Sequence, residues 1–183
     1  MAEFNQNLWA PWRMEYIRSL ADEAKEEGCF LCNYWQKPDR DRENHVIWRC
    51  GSTFAVMNRF PYTNGHLLIA NGHHKAEFSD LDTDELGQLT LAIRDGVELL
   101  RRTISPQGFN IGYNLGLCAG AGLPDHLHAH IVPRWSGDTN FMTVLDNSRV
   151  VPESLDSLWE SLVEHAKAMG LLKVGGASGT HPT

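Results

Sequence analysis

Residues 125–135 read Asp125-His126-Leu127-His128-Ala129-His130-Ile131-Val132-Pro133-Arg134-Trp135. On a β-strand alternate side chains point to opposite faces, so His126, His128 and His130 share one face while Leu127, Ala129 and Ile131 turn into a core. A solvated strand face that merely happens to use histidine is the plain alternative, but an imidazole triplet is an unusual way to fill one. A single metal held by all three is excluded by reach. Neighbours on one face stand ~6.6 Å apart and the outer pair ~13 Å, whereas zinc ligands lie about 2 Å from the ion. Two adjacent histidines could converge on one ion, so the triplet must divide its labour. The remaining chemistry is nucleophilic: a neutral imidazole attacks phosphorus well, and a phosphoramidate intermediate splits one hard displacement into two easier ones. The central His128 is the candidate nucleophile, with a histidine on each side to hold or protonate phosphate oxygens. Just upstream, Asn114 and the run Gly116-Leu117-Cys118-Ala119-Gly120-Ala121-Gly122 offer a loop whose N–H groups can approach a phosphate closely.

A second chemical pattern is Cys29-Phe30-Leu31-Cys32. Both thiolates of a C-x-x-C can reach one ion from a tight turn, although the spacing alone also fits a redox pair or two buried thiols. Cys118, in the glycine loop, reads as a small packing residue.

These groups need a scaffold. Short runs rich in β-branched and aromatic residues predict strands at His45–Cys50, Thr53–Met57, His66–Ala70, Phe109–Asn114 and His126–Pro133, punctuated by turn residues. Asp82-Thr83-Asp84-Glu85 has the form of a capping box. Leu86, Leu89, Ile93, Val97, Leu100 and Ile104 then recur at helical spacing, which predicts one amphipathic helix over 83–103, stopped by Pro106-Gln107-Gly108. Residues 36–44 read as a loop, and a second helix is expected from Pro152 to about Met169. Strands joined without regular helical crossovers suggest an α+β fold: an antiparallel sheet of about five strands, a long central helix and a C-terminal helix. Residues 1–28 read as an N-terminal arm with aromatic anchors Trp9, Trp12 and Tyr16 and a short helix. Residues 29–172 read as one domain and 173–183 as a disordered tail.

Composition narrows the class further. The chain has 183 residues, 42% hydrophobic and 21% charged, enough to bury a core without disulfide support. A net charge of −7 argues against a nucleic-acid-coating protein but leaves room for a small phosphate substrate. No apolar run approaches the roughly 18 to 20 residues that span a bilayer, and Met1–Gln6 does not resemble a signal peptide. The expectation is a cytoplasmic protein with no membrane or nucleic-acid partner.

His126, His128 and His130 match position by position the H-x-H-x-H signature of the histidine triad (HIT) family, and the resemblance extends from about Cys29 to Trp135. It implies a HIT-like fold and a homodimer. It also implies that His128 becomes nucleotidylated on the α-phosphate, with His130 and Asn114 contacting phosphate beside the Gly120 and Gly122 loop. Asn58 stands where relatives place an acidic residue on the ribose, and Phe60 with nearby apolar side chains would form the base pocket. No second C-x-x-C follows Cys29 and Cys32, so further ligands must be distant histidines, with His74 and His126 the candidates; His73 is adjacent to His74. Histidine triad proteins with a C-x-x-C, and the related galactose-1-phosphate uridylyltransferases, are similar: two Cys, one distant His and the first triad His bind structural zinc. No organic cofactor is implied.

Within the family, three segments resemble the diadenosine polyphosphate phosphorylases: Leu8–Tyr16, Asn58–Leu68 and Pro133–Met142. Hydrolases and phosphoramidases of the family usually carry a hydroxyl residue three positions before the first histidine, where this chain has Leu123 after Gly122. The resemblance therefore implies phosphorolysis of Ap4A or a related dinucleoside polyphosphate to ATP and ADP, with inorganic phosphate as acceptor. The alternatives are hydrolysis of such nucleotides or of nucleoside phosphoramidates, and a nucleotide-binding or zinc-braced interaction module without turnover.

Overall fold

The computed structural model describes residues 28–138 and 153–172, so the N-terminal arm and the C-terminal tail anticipated above lie outside the described residues. Five strands form one antiparallel sheet: β1 (Val46–Cys50), β2 (Thr53–Met57), β3 (Leu67–Asn71), β4 (Gly108–Tyr113) and β5 (His128–Arg134). Their spatial order is β1-β2-β3-β5-β4. The chain leaves β3 through a long helix, lays β4 at the edge, and returns β5 into the gap between β3 and β4. The histidine strand is therefore interior, with a neighbour on each side. The helices among the described residues are α1 (Phe30–Gln36), α2 (Thr83–Ile104) and α3 (Leu155–Ala168). The anticipated α+β architecture is the one found. No helix among the described residues is long and apolar enough to cross a membrane.

Sheet alternation divides the core in two. Ala55, Met57, Leu67, Ile69, Ala129 and Ile131 face α2 and α3, where they meet Leu89, Leu99, Leu100, Leu158 and Leu162. Phe54, Val56, Leu68 and Ala70 face the other way, beneath Leu31 and Tyr34 of α1. Every residue of β2 and β3 is buried as a result, which is why their sequences read as continuous apolar runs rather than as alternation. Gly96 lets α2 approach the sheet closely, since a Cβ there would lie 2.8 Å from Ile131 Cδ1.

Helix α2 starts as its sequence dictates. The Asp82 carboxylate accepts the Glu85 N–H at 2.8 Å, and the Glu85 carboxylate accepts the Asp82 N–H at 3.0 Å. It ends at Ser105, whose φ of 48° is left-handed, just before Pro106.

Several anticipated boundaries shift for local reasons. Strand β1 begins one residue late because His45 has a φ of 54°. Helix α3 begins after an Ser154 cap, not at Pro152, with the Ser154 hydroxyl accepting the Ser157 N–H. The C-x-x-C is not a bare turn: Cys29 caps α1 and Cys32 lies in its first turn. Arg49 of β1 ties down the other end of α1 by donating to the carbonyls of Tyr34 (2.7 Å) and Trp35 (3.0 Å).

Candidate active site and metal cluster

Strand β5 begins at His128, two residues later than the sequence suggested. The Leu127 N–H is taken by the Lys75 carbonyl at 2.7 Å rather than by a ladder partner, so His126 stands at the entrance to the strand. His126 is 1% exposed, and its Nε2–H donates to the Asn71 carbonyl at 2.7 Å. A carbonyl can only accept, so Nδ1 carries the lone pair. That nitrogen lies 3.1 Å from Cys29 Sγ and 3.5 Å from Cys32 Sγ, and Cys32 Sγ lies 3.3 Å from His74 Nδ1.

The four ligand atoms of Cys29, Cys32, His74 and His126 all lie within 4.8 Å of one another. Ligands 2.0–2.3 Å from a tetrahedral centre stand about 3.3–3.8 Å apart, so the cluster has the size and the S₂N₂ donor set that suit zinc. Burial pushes the Cys29 thiol up to about 11. It pulls His126 down to about 4, reinforced by the neighbouring histidines, so His126 is a neutral donor at pH 7. His73 is not part of the cluster; its Nδ1 meets the Glu85 carboxylate at 2.9 Å.

The loop after β3 links this cluster to the sheet. Its Asn71 and Lys75 carbonyls hold His126 and Leu127, while the buried Glu85 gathers Lys75 Nζ, His73 and the Asp82 N–H. Gly72 is required where the loop passes α1, because a Cβ there would stand 2.2 Å from the Trp35 ring. The Lys75 hydrogen bond, then those from His73 and the Asp82 backbone, hold the Glu85 carboxyl at about 2. A depressed carboxylate contributes stability above its unfolded pKa and loses it as pH falls toward the folded value. Glu85→Gln should therefore cost about 1.5–3 kcal/mol at pH 7, the worth of charge-assisted hydrogen bonds. In thermal unfolding across pH, the gap between wild type and variant should close between about pH 5 and pH 2. A gap independent of pH would contradict this role.

His128 is 7% exposed and sits opposite Ala70 of β3. Its Nδ1–H donates to the His126 carbonyl at 2.7 Å, which leaves the lone pair on Nε2. Burial lowers its pKa, and the hydrogen bond to the His126 carbonyl offsets part of that shift. His130, opposite Leu68, presents its ring 5.0 Å from that of His128. Burial and then the His128 charge bring it down to about 4. Its Nδ1 lies 3.0 Å from His66 Nε2 and its Nε2 lies 3.5 Å from Asn114 Nδ2.

The remaining expected residues surround this pair. Asn58 follows β2, with its Oδ1 accepting the Phe60 N–H at 2.9 Å and its Nδ2 lying 3.2 Å from His66 Nδ1. Phe60 is 41% exposed. The glycine loop is more self-contained than its composition suggested. Leu117–Ala119 forms a 3-10 turn, and the N–H groups of residues 119, 120 and 121 donate to the carbonyls of Gly116 and Leu117. Gly116 and Gly120 have φ of 75° and 85°, which this turn requires. Gly122 follows it on the exposed surface.

Sequence reasoning missed His66 and Tyr62. His66 is 1% exposed and bridges Asn58 to His130; the Tyr62 ring lies 15° from parallel to His130 at 6.0 Å. The available signal was alternation, which puts His66 on the face of Leu68 and Ala70; the missing fact was that β3 neighbours β5.

The site is thus a buried His128 beside a half-buried His130, both with lowered pKa values, on an interior strand, with a Cys₂His₂ cluster at the strand's entrance and a glycine loop nearby. Residues 39–137 match the HIT domain, and the chain belongs to that family. It is 35% identical over 153 residues to a Mycobacterium tuberculosis protein named AP-4-A phosphorylase, covering 82% of this chain and 78% of that one. A Schizosaccharomyces pombe protein named bis(5'-nucleosyl)-tetraphosphatase [asymmetrical] is 30% identical over 95 residues, 52% of each chain. Among solved structures, a Zn-bound histidine triad family protein from Mycobacterium smegmatis superposes with a TM-score of 0.63 at 21% identity, covering 78% of this chain and 96% of that one. A hypothetical histidine triad nucleotide-binding protein from Sulfolobus tokodaii gives 0.62 at 22%, covering 77% and 93%. These structural likenesses bear on the fold.

Proposed function

We propose that this chain transfers nucleotidyl groups through a covalent nucleotidyl-His128, and that its reaction is phosphorolysis of Ap4A or a related dinucleoside polyphosphate. The observation that carries the reading is the hydrogen bond from His128 Nδ1–H to the His126 carbonyl, which directs a neutral lone pair on Nε2 away from the backbone. That is the state of imidazole that attacks phosphorus. The 35% identity to a protein named AP-4-A phosphorylase supports the substrate class.

In the first step His128 Nε2 attacks the α-phosphorus of Ap4A. A P–N bond forms, the α–β bridging P–O bond breaks, and ATP leaves. In the second, an oxygen of inorganic phosphate attacks the same phosphorus, the P–N bond breaks, and ADP leaves with His128 restored. His130 Nε2, Asn114 and the loop at Gly120 and Gly122 would hold the phosphate oxygens. Phe60 would pack on the base. Asn58 Oδ1 has a second lone pair with which to accept a ribose hydroxyl. Zinc fits Cys29, Cys32, His74 and His126 as a closed four-ligand brace; when bound it would supply structural support and leave no position open to substrate.

Product analysis with Ap4A tests the reading. ATP plus ADP, formed only when inorganic phosphate is present, is the expected result. ATP plus AMP without phosphate would make the protein a hydrolase, the activity in the name of the Schizosaccharomyces relative. No cleavage of any nucleotide would reduce it to a binding module.

A further inference from the structure

We infer that Asn58, together with the backbone N–H of Tyr62, locks the tautomer of His66 and through it keeps the His130 proton on Nε2, the nitrogen that faces the substrate. This makes Asn58 a positioning residue, and it rests on the reading of His130 as the phosphate-facing group.

A backbone N–H can only donate. The Phe60 N–H therefore fixes the Asn58 amide with Oδ1 toward residue 60, which turns Nδ2, a donor, to His66 Nδ1 at 3.2 Å. The Tyr62 N–H reaches the same His66 nitrogen at 3.2 Å. Two donors converge on His66 Nδ1, so that atom holds the lone pair and the ring proton sits on Nε2. His66 Nε2–H then donates across 3.0 Å to His130 Nδ1. A neutral His130 whose Nδ1 accepts must carry its proton on Nε2, and the Asn114 amide, 3.5 Å away, must then turn its Oδ1 rather than its Nδ2 to that N–H. The Tyr62 ring, 4.6 Å from the His66 ring and 6.0 Å from that of His130, hinders either from turning over. Burial, aided by the neighbouring histidines, draws His66 down to about 3, so the chain of neutral rings persists at pH 7.

Asn58 in this role differs from a residue that only touches ribose. A carboxylate at this position would still accept a ribose hydroxyl, but it has no donor for His66 Nδ1. Its second oxygen would draw a proton onto that nitrogen and break the Tyr62 contact. His66 then becomes either cationic or a Nδ1–H tautomer. The tautomer would accept through Nε2, move the His130 proton to Nδ1, and turn a lone pair on a phosphate anion. Asn58→Ala, by contrast, removes the amide but leaves the Tyr62 N–H to hold the original tautomer.

Two measurements test this. In nitrogen-15 NMR of ring-labelled wild-type protein without ligand, His66 should show an unprotonated Nδ1 and His130 a protonated Nε2. A protonated Nδ1 on either ring overturns the inference, and this readout does not depend on turnover. In kinetics with Ap4A and inorganic phosphate, Asn58→Asp should have a kcat at least about tenfold below that of Asn58→Ala, the scale of a misplaced proton donor. An Ala variant as slow as the Asp variant, or slower, is what a ribose contact alone would give and would overturn the relay. A loss of all turnover in the wild type would instead count against the phosphate reading, with the NMR result still deciding the tautomers.

Discussion

His128→Ala should lower turnover of Ap4A at least ~1000-fold, because a residue that forms the covalent bond has no substitute in a two-step transfer. The fold should survive. His128 pairs with Ala70 of β3 in the backbone ladder, and its side chain donates to the His126 carbonyl. Circular dichroism and a thermal melt check that the variant is folded, and steady-state assays check the loss. Two features of the wild-type site give the size of the effect its physical basis. Burial lowers the His128 pKa, and the direction of its Nε2 lone pair is set by a bond from Nδ1–H to a backbone carbonyl rather than to another mobile side chain. A folded variant that retained turnover within tenfold of wild type would remove His128 from the mechanism.

The second large effect concerns the metal cluster. Cys29→Ala, or removal of the metal with a chelator, should lower the melting temperature by roughly 10–20 °C. At free zinc a thousandfold above Kd, linkage contributes about 4 kcal/mol to the folded state. The effect reaches beyond stability because the cluster joins parts far apart in sequence: α1 through Cys29 and Cys32, the loop after β3 through His74, and the entrance of β5 through His126. The His126 carbonyl is also the acceptor that aims His128, so turnover should fall with the metal and return when zinc is added back to the wild type. Metal content of the purified protein by elemental analysis, with melts before and after chelation, checks this. A protein that carries no zinc and melts unchanged in chelator would contradict the brace.

Much of the site could be read from the chain because its signals are local. The period-two placement of His128 and His130 depends only on strand geometry, and the capping box of α2 lies within four consecutive residues. The C-x-x-C limited the metal question to finding two histidines. What could not be read depends on pairing between distant segments. His66 matters because Leu68 is registered with His130, and no local pattern encodes that β5 inserts beside β3. The late start of β5 has the same origin, since Lys75 takes the Leu127 N–H. Helix α1 is seven residues long, too short for periodicity to distinguish it from a turn, and it is held by Arg49 and by packing on the sheet. In the glycine loop composition suggested outward amides, but carbonyls three and five residues back take several of them.

The central claim is a covalent nucleotide on His128, and a single-turnover experiment tests it most directly. Enzyme in excess is mixed with Ap4A without inorganic phosphate, quenched in alkali, where a phosphoramidate survives, and examined by intact and peptide mass spectrometry. One adenylyl group is expected on the peptide containing His128, absent from His128→Ala and discharged as ADP when phosphate is added before the quench. Cleavage of Ap4A at the wild-type rate with no adduct on His128 at any time would contradict it.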